Sequence, residues 1–533
     1  MLAEGSVDSS LARARQAAKA KDWLSATRCY QSILGRYPKN ARARHGLAEL
    51  RPVALPELIK SAQAARSEGN WIKVEDNLYA AAGLAPQLTD VHLALANCRL
   101  EMGRAPAALR VAERVLQSEP DHIEALNIKG RALREMSKSE ASEACLRHAL
   151  NRDPKNPKTL NNLGILKRAQ GDRTAAADCF RRAARIEPDN AVLHRNLAYA
   201  ITYVDDEPHL EEMKELLAAS NPSDPDMAPL YFAMFKALDE LGARAEAFAL
   251  LEQGNRLAKT GLQYDFQRDA IPYALSRRLF EHPVETLEAD GALTPIFITG
   301  LPRSGTTLLE RILSRATGVQ PCGELTVVQS AVGRLLQDVM SRDQKSLKRP
   351  DLEHLRETLL DDLSDYSDGR PVIIDKMPLN FRWIGFIRAV LPEAKVVHVS
   401  RSPIAVAWSL YRHMFTGTGI GFAYDPADIA RYLVMHDELM AFWRSRFPDG
   451  IIDVQYDTLV ADPLGVTQDL AKAVGLEWTP DWLEPERADT LVLTASSEQV
   501  RQSIYGGSSG AWRAYQDHLS SLLSALDAVG FRH

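Results

Sequence analysis

Through the first half of the chain, apolar positions recur at three- and four-residue spacing, the pattern of amphipathic helices packed in pairs. Prolines punctuate the helical runs. Pro86, Pro120, Pro154 and Pro188 stand 34 residues apart, in LAPQ, SEPD, RDPK and IEPD. Pro38, in RYPKN, closes an earlier unit. The 48 residues from Pro38 to Pro86 predict an insertion around Arg51–Leu55, where RPVALP breaks the pattern. From about Leu293 the pattern changes to short apolar runs separated by helical ones. Pro295–Thr299 (PIFIT), Val372–Asp375 (VIID), Val396–Val399 (VVHV) and Ile451–Val454 (IIDV) read as buried strands. Thr306–Ser314, Leu352–Leu363, Phe381–Val390, Ala405–Met414 and Ile429–Phe447 read as helices.

The clearest repeat runs from Asn156 to Pro188. Leu160, Leu163 and Gly164 lie on its first helix, and Ala176, Phe180 and Ala183 on its second. Gly164 and Ala176 are small where two antiparallel helices must approach, Phe180 fills the space between units, and Gly130 repeats Gly164 one period earlier. In period, small-residue placement and terminal proline this resembles the tetratricopeptide (TPR) repeat. Each helix pair buries its apolar face only against its neighbours, so several are needed. The period fades after Pro188; Leu210–Ala219 and Pro229–Ala258 read as degenerate pairs. Tyr231, Phe232, Phe235 and Phe248 read as core rather than a ligand box. Strands alternating with helices predict a parallel sheet in a three-layer α/β domain, with ligands at the carboxyl ends of the strands. The expected fold is therefore multidomain: an all-α TPR solenoid over residues 8–262, a linker helix region over 263–292, and an α/β, P-loop-like domain over 293–533.

Composition narrows the function classes. A formal charge of −6 and a pI near 6.2 give no support to nucleic-acid or membrane-surface binding. Five dispersed cysteines show no metal-ligand or C-x-x-C spacing. The opening MLAEGSVDSSLARARQ lacks a basic start before an apolar run, and no apolar run is long enough to span a bilayer. A cytoplasmic location is the expectation.

The chemistry concentrates after the first strand. Gly300-Leu-Pro-Arg303-Ser304-Gly305-Thr306-Thr307 leads from strand to helix. Glycines let a backbone approach an anion, and a helix N-terminus offers unpaired N–H groups. Ser304, Thr306 and Thr307 add hydroxyls, and Arg303 a charged fork. Thr306 stands where a Walker A loop carries lysine, which counts against a kinase or ATPase. A strand-to-helix turn with no ligand is the bland alternative. A second anion site is expected where the strand Val396–Val399 runs into Ser400-Arg401-Ser-Pro and a helix bearing Ser409 and Arg412.

GLPRSGTTLLE and HVSRSPIAVAWS resemble the 5′-phosphosulfate and 3′-phosphate motifs of the sulfotransferase family. CGE at Cys322–Glu324 and DKMP at Asp375–Pro378 are similar to its tyrosylprotein sulfotransferase branch, and the fused repeats to bacterial proteins joining TPR units to such a domain. The resemblance covers about residues 293–515. It implies a donor, 3′-phosphoadenosine 5′-phosphosulfate (PAPS), and no metal. It makes Glu324 the general base, and Lys376 and Arg303 the groups stabilising charge on the bridging oxygen. Arg303, Ser304, Gly305, Thr306, Thr307, Arg401, Ser409 and Tyr456 become the cofactor-binding set. A solvated Glu324 and a structural Lys376 paired with Asp375 are the bland alternatives. His398 and His413 are rival bases, His398 reading better as core and His413 as facing the 3′-phosphate. Arg501 to Arg513 resembles the loop that closes over the nucleotide. There Ala511 replaces the basic residue that relatives carry before the tryptophan, here Trp512, with Arg513 or Arg501 able to compensate; weakened nucleotide binding is expected.

These readings favour sulfation of a hydroxyl, with protein or peptide tyrosine as acceptor recruited through the repeats. Two alternatives remain: a sulfotransferase for a small molecule, lipid or glycan, and a TPR scaffold carrying a non-catalytic nucleotide binder. Whether the repeats bind the acceptor or brace the enzyme, and whether the chain forms a homo-oligomer, stays open.

Overall fold

A computed structural model describes residues 6–205, 207–289, 293–342, 344, 346–415, 419–487, 491, 504 and 507–532. The chain divides into two compact units, Met1–Pro154 and Lys155–His533.

The first unit is a run of helix pairs: α1 (Val7–Lys19), α2 (Trp23–Arg36), α3 (Ala41–Ser67), α4 (Trp71–Leu84), α5 (Thr89–Glu101), α6 (Ala105–Ser118), α7 (Ile123–Glu135) and α8 (Ser139–Arg152). Asp22, Asn40 and Asn70 cap three of them, each carboxylate or amide oxygen accepting a backbone N–H three residues on. The expected break at RPVALP is absent. Pro52 and Pro56 both lie inside the 27-residue α3. They sit one turn apart on its exposed side, where water can satisfy the carbonyls that lose their helical N–H partners. The extra length of this repeat is thus absorbed as additional helix.

The second unit opens with α9 (Pro157–Gln170), α10 (Arg173–Ile186), α11 (Ala191–Ala198), α12 (His209–Ala219), α13 (Ala228–Glu240), α14 (Arg244–Leu262) and α15 (Gln267–Leu279). A Cβ added to Gly164 would sit 2.5 Å from the Phe180 ring, and one on Gly130 2.8 Å from Leu146, one period earlier. Close approach therefore requires glycine at both places. Tyr231, Phe232, Phe235 and Phe248 are buried.

A five-stranded parallel sheet follows, in the order β2-β3-β1-β4-β5. Its strands are β1 (Thr294–Gly300), β2 (Val319–Pro321), β3 (Val372–Asp375), β4 (Lys395–Ser400) and β5 (Ile452–Gln455). The central β1 pairs with β3 (Phe297 opposite Asp375) and with β4 (Gly300 opposite Val399). The sheet is flanked by α16 (Thr306–Leu313), α17 (Val327–Ser341), α18 (Arg349–Ser364), α19 (Ile384–Val390), α20 (Pro403–Tyr411), α21 (Pro426–Arg446), α22 (Tyr456–Ala461), α23 (Pro463–Val474) and α24 (Ser520–Ala528). Two features differ from expectation: β2 is only three residues long and ends on Pro321, and Pro378–Trp383 is a 3-10 turn ahead of α19.

The last repeat helices are built onto this α/β layer. Asn255 Nδ2 on α14 donates to the Tyr411 carbonyl at 3.0 Å. Asp239 on α13 accepts from Arg412 and from the Tyr515 hydroxyl, both at 2.6 Å. Arg382 reaches back to Asp269 on α15 at 2.7 Å. No helix among the described residues is long and apolar enough to cross a membrane.

Candidate active site

Every strand of the sheet delivers a candidate residue just past its carboxyl end, so parallel pairing alone gathers them on one edge. Glu324 follows β2, Lys376 follows β3, the Gly300–Thr307 loop follows β1, Arg401 follows β4 and Tyr456 follows β5.

The loop after β1 needs unusual backbone. Gly300 and Gly305 take φ of +151° and +111°, and Arg303, without glycine's freedom, takes +73°. A Cβ on Gly305 would come within 2.2 Å of the Tyr456 ring. Ser304 is 1% exposed, and among the described residues its Oγ has no hydrogen-bond partner. A buried hydroxyl left unpaired at the mouth of a helix is a donor lacking its acceptor. Thr306 and Thr307 are buried in the first turn of α16. These features fit a phosphate or phosphosulfate group.

Arg303 and Arg401 are interlocked. Arg303 Nε donates to Ser409 Oγ at 2.9 Å, and Arg401 Nη1 donates to the Arg303 carbonyl at 3.1 Å. Ser409, which the sequence set with Arg401 at a second anion site, is held to the β1 loop through Arg303. Arg401 lies over the Tyr456 ring, 4.5 Å from its centre. It also donates to Ser508 and Ser509, each at 3.0 Å. Tyr456 Oη and Ser508 Oγ lie 2.8 Å apart, and the Ser509 hydroxyl donates to Asp457. Burial, reinforced by the Arg401 and Arg412 charges, lowers the Arg303 guanidinium to about 10. A cation so placed favours an incoming anion.

On the other side of β1, Lys376 Nζ and Glu324 Oε1 meet at 2.5 Å. The lysine is completely buried and the Glu324 side chain is 40% exposed. Asp375, the alternative partner for Lys376, is engaged elsewhere: it accepts from Asn380 Nδ2 at 2.9 Å and from the Leu325 N–H at 3.2 Å. Burial pushes its carboxyl up to about 7. The backbone around Glu324 is pinned on three sides. The Gly323 N–H donates to Glu310 Oε1 at 2.9 Å, the Lys376 N–H donates to the Gly323 carbonyl at 2.8 Å, and Asp375 holds Leu325. Glu310 is buried on α16, and burial raises its carboxyl above the usual range.

The sequence reading did not single out Glu310, Asp457, Ser508 or Ser509. Nothing in the sequence separates Glu310 from a solvated helix carboxylate, although LLE stands inside the quoted loop motif. Of the rival bases, His398 lies in the buried interior of β4, bridging Asp453 (2.9 Å) and His436 (3.1 Å). His413 lies just past α20, edge-on to Tyr199. Ala511 is exposed and Trp512 buried, with the Arg513 guanidinium over its ring. Arg501 lies outside the described residues.

One possible metal group exists among the described residues, His194, His209 and Glu212, with ligand atoms within 4.8 Å of one another. Its imidazoles form a hydrogen-bonded chain. The His194 Nε2–H donates to the Pro188 carbonyl (2.7 Å), leaving Nδ1 to accept from His209 at 3.0 Å, whose Nδ1 accepts from Tyr203 (2.7 Å). Burial lowers His209 to about 3.

Residues 295–480 match the model of the sulfotransferase family. This stretch is a sulfotransferase-family domain. Ahead of it, residues 98–207 match the N-terminal TPR repeats region of psidin. The chain is 30% identical over 345 residues to an uncharacterized protein of Aquifex aeolicus, covering 62% of this chain and 45% of that one. A protein-tyrosine sulfotransferase of Drosophila melanogaster is 24% identical over 203 residues, covering 36% of this chain and 40% of its own. The chain thus spans less than half the length of these curated relatives. Among solved structures, the sulfotransferase domain from the Synechococcus PCC 7002 olefin synthase aligns at 20% identity and TM-score 0.31, covering 43% of this chain and 91% of that one.

Proposed function

We propose that the protein transfers a sulfuryl group from PAPS to an acceptor hydroxyl, with protein or peptide tyrosine as the acceptor. The observation that carries this reading is the Glu324–Lys376 pair, set at the carboxyl edge beside an anion loop whose Ser304 hydroxyl lacks a partner. The similarity to the Drosophila protein-tyrosine sulfotransferase supports the tyrosine acceptor.

In this reading the Gly300–Thr307 loop and the α16 N-terminus hold the 5′-phosphosulfate, and Arg401 holds the 3′-phosphate. Arg401 then exchanges its Ser508 and Ser509 hydroxyl partners for phosphate oxygens. Lys376 turns from Glu324 to the bridging oxygen, and this frees the carboxylate. Glu324 takes the acceptor O–H proton as the acceptor oxygen bonds to sulfur. The bond from sulfur to the bridging oxygen breaks, and its electron pair leaves on the 5′-phosphate. Lys376 and Arg303 stabilise that developing charge. The repeats recruit the acceptor, a role common to stacked-helix arrays.

The test is transfer of labelled sulfate from PAPS to tyrosyl peptides and to cell extract, with the labelled products located by mass spectrometry. Label on tyrosine supports the full reading, and label only on a glycan, lipid or small molecule replaces the acceptor. No transfer by a protein that binds 3′-phosphoadenosine 5′-phosphate (PAP) overturns the enzymatic reading in favour of a nucleotide-binding scaffold.

A further inference from the structure

Arg195 on α11 and Tyr199 at its C-terminal end are polar side chains that no charged or hydrogen-bonding group from another element satisfies among the described residues. Arg195 is 9% exposed, and among the described residues its one partner is the Asn196 side-chain oxygen, 3.1 Å from Nη2. No carboxylate there pairs with it, and burying a guanidinium without a counter-ion is strongly unfavourable. Tyr199 lies one turn further along, on the same face. Its ring meets His413 edge-on, with 5.9 Å between ring centres. Neither the Tyr199 hydroxyl nor the His413 imidazole nitrogens have a hydrogen-bond partner among the described residues.

His413 ties this group to the crevice. It follows Arg412 at the end of α20, one turn beyond Ser409, which holds Arg303. Burial first, then the charges of Arg303, Arg195, Arg412 and Arg168, keep its imidazole well below its usual range, so it is neutral near pH 7. The Arg195 guanidinium, the Tyr199 phenol and the His413 imidazole thus lie within electrostatic reach of one another in cationic surroundings, and each can donate a hydrogen bond.

We propose that Arg195, Tyr199 and His413 form an anion-binding subsite that the repeat region contributes to the crevice, for a phosphate, sulfate or carboxylate group. Such a group has two sources, the 3′-phosphate of the donor nucleotide or an acidic substituent on the acceptor. Placing the subsite in catalysis rests on the sulfuryl-transfer reading; the existence of the subsite does not.

The test is calorimetric titration of the full chain and of its Arg195→Gln, Arg195→Lys and Tyr199→Phe variants. The probes are PAP, adenosine 5′-monophosphate, and sodium sulfate added to PAP-saturated protein. If the anion is the nucleotide's, Arg195→Gln weakens PAP about tenfold or more and leaves adenosine 5′-monophosphate unchanged. If it is the acceptor's, both nucleotides bind Arg195→Gln as they bind wild type, and sulfate binds PAP-saturated wild type but not Arg195→Gln. Arg195→Lys, which keeps the charge, recovers part of either loss. Tyr199→Phe gives a smaller loss of the same kind and serves if Arg195→Gln does not fold. The proposal is overturned if PAP affinity is unchanged in Arg195→Gln and sulfate either does not bind the loaded wild type or binds both proteins equally. Should wild type bind no PAP, the sulfuryl-transfer reading fails by itself. Sulfate titrated onto nucleotide-free protein still reports on the subsite through the same variants.

Discussion

Lys376 Nζ and Glu324 Oε1 lie 2.5 Å apart, just past the ends of the neighbouring parallel strands β3 and β2. The lysine is fully buried while the Glu324 side chain is partly open to solvent, so the carboxylate is the partner with room to move away. Glu324→Gln keeps the shape and removes the proposed base. Sulfate transfer should fall by about 10²–10⁴-fold while PAP binding stays within about twofold. Paired single-turnover and binding measurements check this, and retained transfer would remove Glu324 from the base role.

Gly305→Ala alters the loop proposed to hold the nucleotide. The new Cβ would meet the Tyr456 ring, which Arg401 and Ser508 hold in place, and φ of +111° is unfavourable for alanine. PAP affinity should drop about tenfold or more, with circular dichroism unchanged. Equal affinity in calorimetry would mean that the loop rearranges freely.

Asp375 links stability to pH. Burial pushes its folded carboxyl up to about 7 from the ordinary 3.8, so the folded state binds the extra proton between those values. Its contribution is fully present below about pH 4 and is lost as pH rises through 7. Asp375→Asn, neutral throughout, should flatten this part of the stability curve in urea titrations between pH 4 and pH 8. An unchanged slope would assign it to other groups.

Arg382 joins α15 to the sheet layer, donating to Asp269 at 2.7 Å and to Tyr432, all three buried. Arg382→Ala leaves the Asp269 charge without its cation. It should destabilise the second unit by about 3–5 kcal/mol, measured by urea unfolding. A loss below about 1 kcal/mol would mean that water replaces the guanidinium.

Gly164→Ala tests the repeats alone. With Phe180 2.5 Å from the added carbon, the helices must part, costing about 1–3 kcal/mol in thermal or urea unfolding. PAP affinity should not change, and a neutral effect would show that Phe180 rotates aside.

Much of the architecture was legible from local pattern. The 34-residue proline spacing, Gly164 facing Phe180, and β1 running into a glycine-bounded loop all express short-range rules of helix pairing and strand-to-helix turns. Where pattern failed, the cause was context. Pro52 and Pro56 looked like a break because their penalty depends on which helix face meets water. β2 was missed because three residues carry no periodicity, and Val319–Pro321 becomes a strand only through its ladder with β3.

By itself the sequence determined the helix pairs, the α/β order and the residue types gathered in the anion loop, since each depends on neighbours a few positions apart. Tertiary structure alone decided that Glu324 pairs with Lys376 rather than Lys376 with Asp375, that Ser409 serves Arg303, that Ser508 and Ser509 face Arg401, and that Arg195 from a repeat helix is buried with no carboxylate partner among the described residues. Those outcomes follow from which strand ends and helix faces become neighbours across the sheet, and burial then sets the strength of every charge interaction among them.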